Sequence, residues 1–212
     1  MKTISKLFTL LGVSLLLFTA CAGSQPAAGE QPTSLTVLTY NIWNGFEGGK
    51  EEQDRFVDWM EGQDVDVAAL QELVDISAAD LQKVAKKWGH RYAVTLKEKG
   101  YPVGLTSKFP INNVRRVVEG MHHGYLYAES GGIGFYVVHF SPGDPQKRIE
   151  EAQTVIADIQ RSDLPQYFFV LGDLNSYSPR DSFSYVQRYR YFPEDVRSEE
   201  IQERLESYTK AE

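Results

Sequence analysis

Apolar residues recur along this chain with two different periods, and their succession outlines alternating strands and helices. In SLTVLTYNIW, residues 34–43, Leu35, Val37 and Thr39 alternate with Thr36, Leu38 and Tyr40, which predicts a strand ending at Asn41. In EEQDRFVDWMEGQ, residues 51–63, Phe56, Val57 and Met60 fall at helical spacing, with Gly62 as the expected stop. The short apolar run DVAALQEL, residues 66–73, reads as a buried strand that ends in the polar pair Gln71 and Glu72. Residues 75–88 pattern as an amphipathic helix with Leu81, Val84, Ala85 and Trp88 on one side.

Five short strand-like pieces follow: RYAVTL, PVGLTS, NVRRVVE, GYLYAES and IGFYVVHF. Ser130-Gly131-Gly132 between the last two is a hairpin signal, and the second of that pair ends at His139. DPQKRIEEAQTVIADIQRSD predicts the clearest helix, with Asp144 as its cap and Ile149, Ala152, Ile156 and Ile159 on one face. PQYFFVLGDLN, residues 165–175, is again a strand, broken at Gly172 and ending at Asp173. Helices alternating with strands, together with consecutive hairpins, predict an α+β protein in which helices pack on a two-sheet, largely antiparallel sandwich.

The first residues stand outside that architecture. MKTISKLFTLLGVSLLLFTAC has a basic start, Lys2 and Lys6, and an apolar run from Leu7 to Phe18 followed by small residues. The run falls short of the roughly 20 residues that cross a bilayer, so 1–21 reads as a secretory signal and the chain as exported. Cys21 is the only cysteine, which excludes an intramolecular disulfide. Its place after Phe18-Thr19-Ala20 resembles the lipobox of bacterial lipoproteins, with Phe18 where leucine is usual. That resemblance implies cleavage and acylation at Cys21; a plain signal peptide with an incidental cysteine is the alternative. Residues 22–34, small and polar with two prolines, read as a flexible tether, and residues 35–212 as one domain. The formal charge of −7 becomes −9 once Lys2 and Lys6 leave with the signal. Such a balance argues against an extended grip on nucleic acid, which needs many cationic contacts to phosphates.

Four strands thus finish in polar groups: Asn41, Glu72, His139, and Asp173 with Asn175. Any one of them is explained by the preference of turns for Asn and Asp. As a set they are chemically coherent. Glu72 is a hard oxygen ligand suited to Mg²⁺, and Asn41 and Asn175 can donate amide hydrogens to phosphoryl oxygens or accept from metal-bound water. Asp173 could serve as the base for an attacking water, and His139 could stabilise charge on a transferring phosphoryl group. These are the parts of a metal-assisted phosphate-ester hydrolase.

LTYNIW, DVAALQEL, YPVGLTSKFPI, FYVVHFSP and FVLGDLNS resemble, in order, successive motifs of the endonuclease/exonuclease/phosphatase family, which includes neutral sphingomyelinases, inositol-polyphosphate phosphatases and pancreatic-type deoxyribonucleases. The resemblance covers most of the chain after the tether. It implies a four-layer αββα sandwich of the DNase I-like kind and a divalent cation, Mg²⁺ or a substitute such as Mn²⁺. It also implies that Glu72 is the main metal ligand, with Asn41 near metal and phosphate and His139 contacting phosphate. By the same resemblance Asp173 and Asn175 align the nucleophilic water and bind phosphoryl oxygens, and GLTSKFP carries no chemistry.

The family pattern continues beyond GDLN to a Ser-Asp-His segment, whereas this chain has 39 residues after Asp173 and its histidines are His90, His122, His123 and His139. The resemblance therefore implies a domain incomplete at its C-terminus, closed by a charged, helix-forming tail with Ile201 and Leu205 at i,i+4. If MHHGYLY is extended, adjacent His122 and His123 point to opposite faces and cannot both reach one site; a solvated loop or hairpin pair is expected, with substrate contact at the rim as the alternative. His90, after Gly89, reads as a turn residue, and the tyrosines and phenylalanines as core rather than a stacking platform for bases. The functional expectation is an exported, membrane-tethered, monomeric hydrolase of phosphate esters that meets nucleic acid only as substrate. The alternative is a catalytically inactive anchored binding protein, or a non-functional fragment, on the same scaffold.

Overall fold

The computed structural model describes residues 32–47 and 49–176. The signal, most of the tether and Cys21, like the expectations for the charged tail, lie outside the described residues. Among them no helix is long and apolar enough to cross a membrane.

Two four-stranded sheets form the centre. The first holds β1 (Val37–Asn41), β2 (Val67–Gln71), β3 (Tyr92–Thr95) and β4 (Gly104–Ser107) in the order β1-β2-β4-β3. The second holds β5 (Ile111–Val117), β6 (Tyr125–Ser130), β7 (Ile133–His139) and β8 (Phe168–Asp173), in chain order. β1 pairs with β2, and β7 with β8, in parallel; the other four pairings are antiparallel. The predicted hairpin joins β6 to β7, pairing Ser130 with Ile133 across the two glycines.

Side-chain alternation sorts the core into three layers of contact. Val67 and Ala69 of β2 meet Leu105 of β4 and Leu126, Ala128, Phe135 and Val137 of the other sheet, so these residues fill the space between the sheets. Ala68 and Leu70 face the other way, onto α2 (Lys50–Gln63) and α3 (Ala78–Ala85), where Phe56, Met60 and Leu81 pack with Trp88 of the 3₁₀ turn Lys86–Trp88. Tyr125, Tyr127, Tyr136 and Val138 cover the far face of the second sheet, beneath α4 (Pro145–Arg161). The order helix, sheet, sheet, helix is the four-layer αββα sandwich. β2 is buried at every position because both of its faces are covered, which is why it reads as a continuous apolar run rather than an alternation.

Three local expectations are corrected. α2 runs through Gly62 and stops one residue later, where Asp64 takes the left-handed conformation. α3 begins at Ala78, with Ser77 as its cap accepting from Asp80 N. Asp144 does cap α4, through Gln146 N and Lys147 N, but the helix is rotated from the expected face. Ile149 and Ile156 are 51% and 52% exposed, whereas Glu151 and Val155 are buried.

Candidate active site

The parallel pairing in each sheet sets strand ends side by side. β1 and β2 end at the paired positions Asn41 and Gln71, with Glu72 the next residue, and β7 and β8 end at the pair His139 and Asp173. Gly172 makes the second juxtaposition possible. It lies opposite Val138 with φ +139°, and a Cβ there would sit 1.9 Å from the Val138 carbonyl oxygen, so only glycine lets β8 approach this closely.

One side chain, Asn41, ties three of the four ends together. Asn41 Nδ2 donates to Glu72 Oε1 at 2.9 Å and to Asp173 Oδ2 at 3.0 Å, while Trp43 N donates to Asn41 Oδ1 at 2.9 Å. The second Glu72 oxygen accepts from Asn44 N at 2.8 Å. Both donors to Glu72 thus come from the end of β1 and the irregular single turn α1 (Trp43–Phe46), whose Asn44 and Gly45 have left-handed backbone. Gly45 N in turn donates to the Glu72 carbonyl at 2.8 Å, and a Cβ on Gly45 would fall 2.2 Å from Val74 O. Glu72 has φ +62°, a conformation that costs a non-glycine residue about 1–3 kcal/mol and is held here by these hydrogen bonds.

His139 Nε2 lies 3.9 Å from both Glu72 Oε1 and Asp173 Oδ2, too far for a hydrogen bond to either. Its Nδ1 is buried without a partner among the described residues. Burial pushes the His139 pKa down, against the opposing pull of Asp173 and Glu72, so the ring is neutral. Two carboxylates beside Nε2 favour the tautomer with its proton on that nitrogen.

Asn175 is brought close but is turned aside. Its N–H donates to Asp173 Oδ1 at 2.9 Å, and its side-chain Nδ2 donates to Phe140 O at 2.8 Å, bracing the end of β8 against β7. The sequence missed His123. Residues 121–123 form a bend that leaves His122 exposed, as expected of a loop, but His123 is buried and its ring stacks on His139 with centroids 4.2 Å apart and planes 20° apart. Burial first, then the neighbouring His139, brings the His123 pKa down to about 3. The available signal was the histidine pair between Gly120 and Gly124, a segment more apt to bend than to extend. His90 is no exposed turn residue either: it is fully buried, with Nδ1 2.8 Å from Thr106 Oγ1 and Nε2 2.8 Å from Val65 O.

The donor set suits a hard divalent cation. Glu72 and Asp173 converge through Asn41, and among the described residues neither forms an ion pair with lysine or arginine, while neutral His139 brings no positive charge. Two carboxylates and an amide leave most of an octahedral shell to water or substrate, which is how proteins usually hold Mg²⁺. Among the described residues no group of three or more His, Cys, Asp or Glu is placed to hold a metal ion by itself. Beside Asn41 opens a cavity of about 270 Å³ lined by Tyr40, Trp43, Phe46, Arg55 and Trp59.

The chain matches the model of the endonuclease/exonuclease/phosphatase family over residues 38–207. No curated protein matches it by sequence. Solved structures with similar folds include D. rerio TDP2 in complex with a single-strand DNA product, at 18% identity and TM-score 0.55 over 70% of this chain and 64% of that one. An AP endonuclease from Archaeoglobus fulgidus aligns at 18% identity and TM-score 0.53, covering 82% of this chain and 70% of that one. A 3′ phosphatase from Neisseria, bound to a product DNA hairpin, gives 18% identity and TM-score 0.54 with 82% and 71% coverage. The chain spans less than two thirds of the length of the D. rerio TDP2 structures, 65% and 64%. With the family match extending from β1 past the end of β8, and the same sandwich in all three structures, the chain belongs to the endonuclease/exonuclease/phosphatase family.

Proposed function

We propose that the domain hydrolyses phosphate esters by metal-assisted attack of water on phosphorus. The observation that carries this reading is the Asn41 amide, which joins carboxylates 31 and 132 residues away, from different sheets, in one cluster. A divalent cation held by Glu72 and Asn41 would supply Lewis-acid stabilisation of charge on the phosphoryl oxygens. The chain's own groups do the rest. Asp173, oriented by Asn175 N at Oδ1 and by the Asn41 amide at Oδ2, is the carboxylate that accepts a proton from water. His139 Nε2–H, with no partner within hydrogen-bond distance among the described residues, donates to a phosphoryl oxygen entering the gap beside the two carboxylates. Asn175 keeps Asp173 in place through its backbone N–H, while one hydrogen of its amide is held by Phe140 O. The aromatic cavity beside Asn41 takes the organic part of the ester.

The sequence further supports export and tethering through acylated Cys21, with residues 22–34 as the tether and residues 35–212 as a monomeric domain. The test is a panel of a bis-aryl phosphate, a sphingomyelin dispersion and plasmid DNA, each assayed with Mg²⁺, with Mn²⁺ and with EDTA. Turnover of at least one ester with metal, lost in EDTA and reduced at least ~100-fold in Glu72→Ala and Asp173→Ala, is expected. Turnover untouched by either substitution would overturn the assignment. Metal binding without turnover on any ester would favour the anchored binding protein instead.

A further inference from the structure

His139 is held in an unusual way for a polar side chain at a candidate reaction centre. It is 3% exposed, its Nδ1 has no hydrogen-bond partner among the described residues, and its Nε2 is 3.9 Å from the nearest carboxylates. Among the described residues no hydrogen bond therefore fixes the rotation of the ring about its Cβ–Cγ bond, a torsion whose minima are broad. What lies flat against it is His123, at 4.2 Å between centroids and 20° between planes.

His123 is itself secured on every side. Lys97 Nζ donates to its carbonyl at 2.8 Å, the Tyr101 ring packs at 5.5 Å, and exposed His122 meets it edge-on at 4.3 Å. Glu151 fixes the segment to the strand end. Its carboxylate, fully buried on α4, accepts from His122 N at 2.5 Å and from Ser141 N at 2.8 Å. One clamp thus spans the residue before His123 and the residue two beyond His139. An apolar side chain at 151 would pack α4 with Val155 at no desolvation cost, so a buried carboxylate is informative here. It ties together the extensions of β6 and β7 just beyond their last ladder pair, Tyr125 with Val138.

We propose that His123 is a positioning residue. Locked by Glu151 and Lys97, its ring face sets the plane of the His139 imidazole so that Nε2 points at the gap between Glu72 and Asp173. The consequence for catalysis rests on the phosphoesterase reading; the orientation itself does not. Two substitutions of similar volume separate stacking from packing: His123→Phe keeps a flat aromatic face, and His123→Leu removes it.

The experiment measures kcat and KM on a bis-aryl phosphate with Mg²⁺, together with the long-range ¹H–¹⁵N signals of the His139 ring. His123→Leu is expected to lower kcat about tenfold with KM within about twofold, whereas His123→Phe keeps both within about threefold. The His139 signals are expected to broaden or split in His123→Leu and to stay single in His123→Phe. Unchanged kcat and unchanged signals in His123→Leu, or equal damage in both variants, would overturn the proposal. If the unaltered protein turns over no ester, the phosphoesterase reading fails there, and the ring signals alone decide for or against the positioning role. Should His123→Leu not fold, His123→Asn against His123→Phe gives the same comparison.

Discussion

Replacing Asn41 by aspartate instead of alanine isolates the electrostatic content of the site. Both substitutions remove the amide that donates to Glu72 and Asp173, at 2.9 Å and 3.0 Å. Hydrogen bonds to charged groups contribute about 1.5–3 kcal/mol each, less here because the Asp173 side chain is 30% exposed and water replaces part of the loss. Aspartate alone adds a third negative charge about 3 Å from two others. At an effective dielectric near 20, each such pair repels by about 5–6 kcal/mol. Repulsion of that size exceeds what it costs to protonate one carboxyl at neutral pH, about 4 kcal/mol. Proton uptake therefore caps the penalty, and Asn41→Asp should be about 2–4 kcal/mol less stable than Asn41→Ala by urea unfolding in EDTA. The sign with pH follows. The repelled carboxyl of the folded variant holds its proton to higher pH than in the unfolded chain, so the penalty is full at about pH 7 and shrinks toward pH 5. Millimolar Mg²⁺ should shrink it too, by replacing the missing positive charge. Equal stability of the two variants in EDTA, or a gap that widens on acidification, would refute the convergence of the carboxylates at Asn41.

Three other outcomes follow from separate parts of the molecule. Gly172→Ala should cost at least about 2 kcal/mol in thermal unfolding, because its Cβ would lie 1.9 Å from Val138 O, and stability within about 0.5 kcal/mol of the parent would contradict the close approach of β8. Burial lowers the pKa of His90, so the unfolded chain takes up a proton below about pH 6.5 that the folded chain does not. Stability then falls as pH drops below about 6.5, and His90→Gln should flatten that slope in urea titrations. Cys21→Ser should move the protein out of the membrane fraction of its expressing cell; unchanged partition would rule against a lipid anchor at Cys21.

The strand ends were legible because the sequence writes them twice, as apolar runs and as the polar residues that stop them. Asn41, Glu72, His139 and Asp173 all sit where that reading put them. Gly172 broke its run for a reason invisible in one dimension, the closeness of Val138 on the neighbouring strand. The misreadings concern polar groups buried by partners distant in sequence. Glu151 turned α4 away from its apparent stripe of Ile149 and Ile156 by taking hydrogen bonds from residues 29 and 10 positions away. His90 is buried by partners 25 and 16 residues away, and His123 by its stack on His139, 16 residues away. Hydropathy scores such residues as solvent-facing, and only tertiary contacts correct the score. Asn175 was found at the right corner, with its amide turned to Phe140 O.

The central claim is that Glu72 and Asn41 hold a divalent cation, with the Asp173 carboxylate gathered beside them by the Asn41 amide. Calorimetric titration of the metal-free protein with Mg²⁺, and with Mn²⁺ as its substitute, measures this directly. Saturable binding of one ion, weakened at least about tenfold by Glu72→Ala and measurably by Asp173→Ala with the fold intact, is the predicted result. The absence of saturable binding, or binding that Glu72→Ala leaves unchanged, would contradict it.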